Sequence, residues 1–282
     1  MATEQSSRYL HVAAVQMLPA TDKPEANIQR ATKLVREAVR EHGAEVVVLP
    51  ECTLTGYSQP GNKGSTLAET RAIAETVPGP STEHFAKLAD ELNIYIIWGL
   101  HEKRGENYYN SAVLLSPQGK ILGTYSKVHI NKYESKMGWT NGDRFRVWPC
   151  KIGDMAFNLG IMICYDREVP EAARCLTVLG ADLIVIPQAT SCTCRLPIHR
   201  DQLRVRAYEN EVFLAMANWA GPTFQGHSMI IGYDGETIEI GGEEEQILFA
   251  ALEMSALRKH RDRGIYGRHH RQPRAYGPLI QT

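Results

Sequence analysis

The chain has 282 residues, 43% hydrophobic and 22% charged, and its 31 Lys and Arg against 32 Asp and Glu leave a formal charge of −1. That balance argues against a surface built to wrap nucleic acid or to ride on acidic lipid. Its longest apolar runs, such as IYIIWGL (94–100) and LIVIP (183–187), fall far short of the ~20 residues that a membrane span needs. MATEQSSRYL at the start lacks the basic and apolar regions of a secretory signal, so a soluble, cytoplasmic protein is expected. The six cysteines, Cys52, Cys150, Cys164, Cys175, Cys192 and Cys194, contain no CxxC pair and suggest a reducing compartment without disulfides. The CTC at 192–194, with His199 nearby, is a poor metal site, because zinc takes about four well-spaced ligands. Neither a metal nor an organic cofactor is expected.

In chain order, short β-branched runs alternate with longer helical stretches. LHVAAVQM (10–17) reads as a buried strand. A helix follows over 24–42, with Pro24 in its first turn, Ile28, Ala31, Leu34, Val35 and Ala38 on one face, and Gly43 at its stop. EVVVLP (45–50) has the unbroken apolar character of a strand buried on both faces. A helix near 82–92 precedes the strand NIYIIWG, and SAVLLS and ILGTYSKV flank PQGK as a hairpin. MAFNLGIMI (155–163) is a strand, Pro170–Leu179 a helix, DLIVIP a strand and 197–210 a helix. VFLAMAN, SMIIGYDGETIEI and QILFAAL supply late strands. Such alternation predicts helix layers on a mixed sheet, in one α/β domain over 1–263 with a C-terminal arm over 264–282.

In open α/β folds ligands gather where the chain leaves the carboxyl ends of strands. EVVVLP runs into Glu51, ILGTYS into Lys127, and MAFNLGIMI into Cys164. Taken singly, each has a plain structural explanation: a turn cap, a solvated hairpin end, a small buried hydrophobe. Together they supply a carboxylate, an ammonium and a thiol, each on an apolar strand exit where an unpaired charge is costly.

These residues also carry a resemblance. LPEC around Glu51, YSKVHI around Lys127 and ICYDREVPEAAR around Cys164 resemble the three signature blocks of the nitrilase superfamily of carbon–nitrogen hydrolases. AAVQM, TGYSQ, YNSAVLLSPQGKILGTYSK, GADLIVIPQ, RAYENEVFLAMANWAG and GHSMIIGYDGE extend the likeness over most of the chain, and HRQPRAY resembles the family's tail. The resemblance implies an α–β–β–α sandwich. It implies Glu51 as general base, Lys127 as the lysine, Cys164 as nucleophile, and Glu134 as a second glutamate holding substrate and lysine. It also implies that the backbone N–H of Tyr165 helps Lys127 bind an oxyanion. Tyr57, Gln188 and Ala189 match pocket-facing loops. Arg167 stands where some members place an arginine for a substrate carboxylate, but Glu168 follows it, whereas relatives acting on N-carbamoyl amino acids are richer in arginine there. Asp166 reads as a cap for the helix that Pro170 opens.

The expected activity is hydrolysis of a non-peptide carbon–nitrogen bond, with a small amide as the first choice of substrate. An N-carbamoyl amide is the second choice and a nitrile the third; a non-catalytic binding protein on the same fold is the alternative of a different class. A homodimer or higher even-numbered oligomer is expected, with no nucleic-acid or membrane partner. The run from Arg258 to Arg274, with seven Lys or Arg and one acid, reads as packing rather than as a nucleic-acid tail.

Overall fold

The computed structural model describes residues 9–57, 67–191, 196–263 and 270–281. Strand β1 (Tyr9–Gln16) leads to helix α1 (Pro24–His42), which starts on its proline and ends at Gly43. Next come β2 (Val46–Val48), α2 (Leu67–Ala72) and α3 (Pro80–Leu92). Strands β3 (Tyr95–Arg104), β4 (Asn107–Leu115) and β5 (Ile121–Ser126) form a meander, followed by the short helix α4 (Lys132–Lys136). The second half runs through β6 (Val147–Ile152), β7 (Met155–Ile161), α5 (Pro170–Val178), β8 (Leu183–Pro187) and α6 (Leu196–Asn210). It ends with β9 (Phe213–Ala217), β10 (Met229–Ile231), β11 (Thr237–Ile240), β12 (Gln246–Glu253) and α7 (Met254–Asp262).

The strands make two six-stranded sheets rather than the single mixed sheet that alternation alone suggests. Their orders are β12-β1-β2-β3-β4-β5 and β11-β10-β9-β8-β7-β6. Each sheet has three parallel strands, β1–β2–β3 or β7–β8–β9, flanked by antiparallel ones. Side chains alternate across each strand, so both faces of the central strands must be covered. Leu10, Val12 and Ala14 of β1 join Val46, Val48, Ile97, Phe157, Leu159 and Val185 in the layer between the sheets. The opposite face of β1, with Ala13 and Val15, meets Ala31, Leu34 and Val35 of α1 and Phe85 of α3. On the far side Ile184 and Leu214 pack against Ala172 and Leu176 of α5 and Leu203 and Ala207 of α6. These three apolar layers make the expected α–β–β–α sandwich.

Four elements lie outside the sequence expectations. Pro149 interrupts the strand pattern of β6, which is tolerated because β6 is an edge strand. Helices α2 and α4 are too short to show a period, and α7 leads into the basic run, which supplies its last five residues. The start of that run packs on the body: Arg261 donates to the carbonyls of Glu211 and Ala181, and Arg258 to that of Ala156. Of the expected arm, 264–269 fall outside the described residues, and Pro273–Ala275 and Gly277–Ile280 form short 3-10 turns. No helix among the described residues is long and apolar enough to cross a membrane.

Candidate active site

Glu51 leaves β2 on a tight turn in which Cys52 takes the left-handed conformation, φ +50°. The turn lies so close to β3 that a Cβ on Gly99 would sit 2.7 Å from the Pro50 carbonyl oxygen and 2.8 Å from the Cys52 nitrogen, which explains a glycine in an apolar strand. Glu51 is pinned by its own backbone: its N–H donates to the Gln188 carbonyl (3.3 Å), and its carbonyl accepts the Trp219 indole N–H (3.0 Å). Lys127 follows β5, with its N–H on the Asn110 carbonyl (2.8 Å) and its carbonyl accepting the Gly142 N–H (2.7 Å). Gly142 permits this approach, since a Cβ there would fall 2.0 Å from the Ser126 carbonyl oxygen. Glu134 sits in a capping box on α4. Asn131 Oδ1 accepts its N–H (3.0 Å), and Glu134 Oε2 accepts that of Asn131 (3.0 Å).

The three side chains meet away from water. Lys127 Nζ lies 2.8 Å from Glu51 Oε1 and 3.0 Å and 2.9 Å from the two oxygens of Glu134. Lys127 and Glu51 side chains are both 0% exposed. Asn110 Nδ2 donates to Glu51 Oε1 (2.7 Å) and Glu134 Oε1 (2.8 Å). Glu51 Oε2 is buried, and no protein donor among the described residues reaches it. Two carboxylates around one ammonium leave an excess of negative charge in a low-dielectric setting. Burial, helped by the like charge of Glu134, pushes the Glu51 carboxyl up to about 7 against the pull of Lys127 and its hydrogen bonds. Burial also works against the Lys127 ammonium, but Glu51 and its neighbours outweigh it and keep the group charged. His101, stacked 4.3 Å over Trp139, is driven down to about 3 by burial and by Lys127, and stays neutral.

Cys164 opens the 3-10 turn Cys164–Glu168 that follows β7, with φ +43°. A left-handed non-glycine residue on a sharp exit stores strain of the kind found at functional sites. Its Sγ stands 3.6 Å from Thr190 Oγ1 and 3.8 Å from the Ala189 carbonyl oxygen. Burial pushes the thiol up to about 12, with the Glu51 charge adding to it and Lys127 opposing, so the thiol rests protonated. Thr190, beside Cys164 Sγ, accepts from the Gln188 amide, and the Gln188 carbonyl accepts the Glu51 N–H; this run of contacts brings Cys164, from the second sheet, into one site with Glu51 and Lys127 from the first. The set can move a proton between a thiol and a carboxylate of near-neutral pKa beside a fixed positive charge.

Asp166 does not cap α5 as expected. Its carboxylate turns back to accept from the Ile163 N–H (2.9 Å), the Tyr125 hydroxyl (2.7 Å), the His129 N–H (2.8 Å) and His129 Nδ1 (2.9 Å). It thereby ties the residue before Cys164 to residues on either side of Lys127, stapling one sheet exit to the other. Tyr57 is buried, with its ring edge-on to Phe224 at 6.0 Å, and the charges of Glu51 and Lys127 act on it. The Tyr165 ring is 43% exposed. The side chains of Gln188 and Arg167, both expected at substrate, are engaged with each other, Arg167 Nε donating to Gln188 Oε1 (3.3 Å). The Arg167 guanidinium also donates to Gln202 and pairs with Glu168 at 3.2 Å. Asn110 is a site residue that the sequence reasoning missed: it stands between Tyr109 and Ser111 at the head of the run YNSAVLLS. Among the described residues no group of three His, Cys, Asp or Glu is arranged to hold a metal. Cys192 and Cys194 lie outside those residues.

The staple makes a stability prediction. Asp166→Ala leaves four donors without their buried acceptor and should destabilise by on the order of 3 kcal/mol, a fall of roughly 6–12 °C in Tm. Asp166→Asn, which keeps the shape and one carbonyl oxygen, should lose about half as much. Thermal melts of the two variants against wild type measure the difference.

Comparison with known proteins agrees with this fold. The carbon–nitrogen hydrolase family model matches residues 11–262. A nitrilase of Pyrococcus abyssi is 35% identical over 258 residues, covering 89% of this chain and 92% of its own. The omega-amidase NIT2 of Xenopus tropicalis is 32% identical over 269 residues, covering 89% and 91%. The crystal structure of Saccharomyces cerevisiae Nit3, a member of branch 10 of the nitrilase superfamily, superposes with a TM-score of 0.80 at 25% identity over 94% of this chain and 97% of that one. The family-model match over residues 11–262, the relatives at 35% and 32% identity and the fold shared with Nit3 place the chain in the carbon–nitrogen hydrolase family of the nitrilase superfamily.

Proposed function

We propose that this hydrolase is an amidase that releases ammonia from a small, uncharged amide through a thioester on Cys164. The observation that carries the reading is the buried Lys127 bridging Glu51 and Glu134 next to the Cys164 elbow. Glu51 accepts the thiol proton as Sγ attacks the amide carbon; because the thiol rests protonated, transfer and attack occur together. Negative charge grows on the carbonyl oxygen, where the Lys127 ammonium and the Tyr165 backbone N–H bind it. Glu51 returns the proton to the nitrogen, ammonia leaves, and a thioester remains. Water, losing its proton to Glu51, attacks the thioester carbon. The acid departs and the thiol regains its proton. Glu134 holds Lys127 in place, and Tyr57, Gln188 and Ala189 shape the surroundings of the substrate.

Two observations favour an uncharged amide over an N-carbamoyl amino acid. Arg167 is buried, and its guanidinium is taken up by Gln188, Gln202 and Glu168 rather than offered to a carboxylate. Relatives named omega-amidase support an amide; the Pyrococcus relative, named a nitrilase, keeps nitriles as the next candidate. We also propose that the chain forms a homodimer or higher even-numbered oligomer. Exposed Val178 at the end of α5, Leu179 just beyond it, and Ile198, Val205 and Tyr208 on α6 give one helical layer apolar residues on its outer face. Sedimentation at micromolar concentration should show an even-numbered species; a clean monomer overturns this.

A panel of small amides, carbamoyl compounds and nitriles, read as ammonia release, tests the activity: amides should be turned over fastest. Cys164→Ala should be inactive with its fold retained. Lys127→Met should lose about 10²–10³ in kcat/KM, the usual loss of one oxyanion donor. The base must be ionised to act, and burial has raised Glu51 to about 7. kcat/KM should therefore fall tenfold per unit as pH drops below about 7, and a flat profile from pH 5 to 8 removes Glu51 from the base role.

A further inference from the structure

The amide of Asn110 occupies a position that the proposed chemistry leaves unused. Its two N–H groups go to two carboxylates, at 2.7 Å to Glu51 Oε1 and 2.8 Å to Glu134 Oε1. Lys127 Nζ contacts the same two oxygens at 2.8 Å and 3.0 Å. Two donors and two acceptors thus close a ring in which only one donor carries a charge. The backbone of Asn110 takes part as well, since its carbonyl accepts the Lys127 N–H at 2.8 Å. At the far end of the amide, Cys52 Sγ donates to Oδ1 at 3.3 Å. Cys52 is fully buried, and burial together with the neighbouring Glu51 charge holds its thiol in the protonated, donating form.

We propose that Cys52 and Asn110 act as a pair of positioning residues: the thiol fixes which way the amide faces, and the amide fixes the ionisation and orientation of Glu51. An amide turned the other way puts its carbonyl oxygen against two carboxylate oxygens and its N–H groups against a thiol, so the order of donors along Cys52, Asn110 and the carboxylates is determined from the buried end. Two donors on Oε1 and none on Oε2 divide the carboxylate into a held oxygen and a reactive one. Oε2 is then the atom that takes and returns the proton. The amide bonds also favour the charged form of Glu51, as a second ammonium would, without adding a charge. The other groups that bear on this equilibrium are Lys127 from the β5 exit, Glu134 from α4, Tyr57 from the same turn and Cys164 from the β7 exit. His101 on β3 stays neutral, and Arg167 acts on Cys164.

This rests on Glu51 being the base of the proposed amidase, so Glu51→Gln serves as the control: it should be inactive, and an active Glu51→Gln overturns the base reading itself. The test of the pair is the pH profile of kcat/KM. Asn110→Leu keeps the bulk and removes the donors, and its acid limb should move up by about one pH unit, with the larger rate loss below pH 7. Cys52→Ala should move the limb in the same direction by less, and Cys52→Ser, which restores a donor, should keep it at the wild-type pH. Circular dichroism and Tm establish that each variant is folded. A folded Asn110→Leu with a slower rate but an unmoved limb makes Asn110 a packing residue and overturns the proposal. Should Asn110→Leu fail to fold, the Cys52 pair decides: equal limbs in the Ala and Ser variants overturn it, and a limb moved only in Ala supports it.

Discussion

One ammonium held out of water between two carboxylates governs this structure. A buried charge is tolerable only when it is paired and its remaining hydrogens are satisfied, and Lys127 meets that condition through Glu51 and Glu134. Burial, with the like charge of Glu134 adding to it, then has its own consequence, a Glu51 carboxyl whose proton affinity lies close to neutrality.

Much of the surrounding architecture serves to hold that trio in register. Gly99 lets the Glu51 turn lie flat on β3, and Gly142 lets its loop close on the Lys127 backbone. The capping box of α4 gives Glu134 two tasks, capping the start of a helix and pairing a lysine, so its rotamer is fixed before any ligand arrives. Across the gap, the Asp166 staple fastens the β7 exit to the residues flanking Lys127. Rigid elements carry each group, the arrangement that holds a constellation in working geometry.

Part of this was legible in the sequence. Glu51, Lys127 and Cys164 each follow an apolar strand, and a charged or reactive group at such an exit stands out against its neighbours. The helix over 24–42 carried its own start and stop signals in Pro24 and Gly43. The division of the strands into two sheets was not legible from alternation, because strand pairing depends on long-range contacts that local periodicity does not encode. Asp166 misled for a related reason: a carboxylate four residues before a helix proline looks like a local cap, whereas its partners lie 37 and 41 residues away. Asn110 was hidden in the middle of a strand block, where one polar residue reads as noise until its register opposite His101 and its contacts are known.

The base and the nucleophile belong to different sheets. Glu51 extends β2 and Cys164 extends β7, and between those sheets lies a dry layer that includes Val46, Val48, Leu159 and Ile161. The separation of the reacting groups is therefore a thickness, set by how far apart packed aliphatic side chains hold two rigid slabs. Close-packed interiors resist compression and pass on small displacements. In this molecule the apolar core works as a spacer gauge: side chains that touch no substrate determine how far a proton must travel.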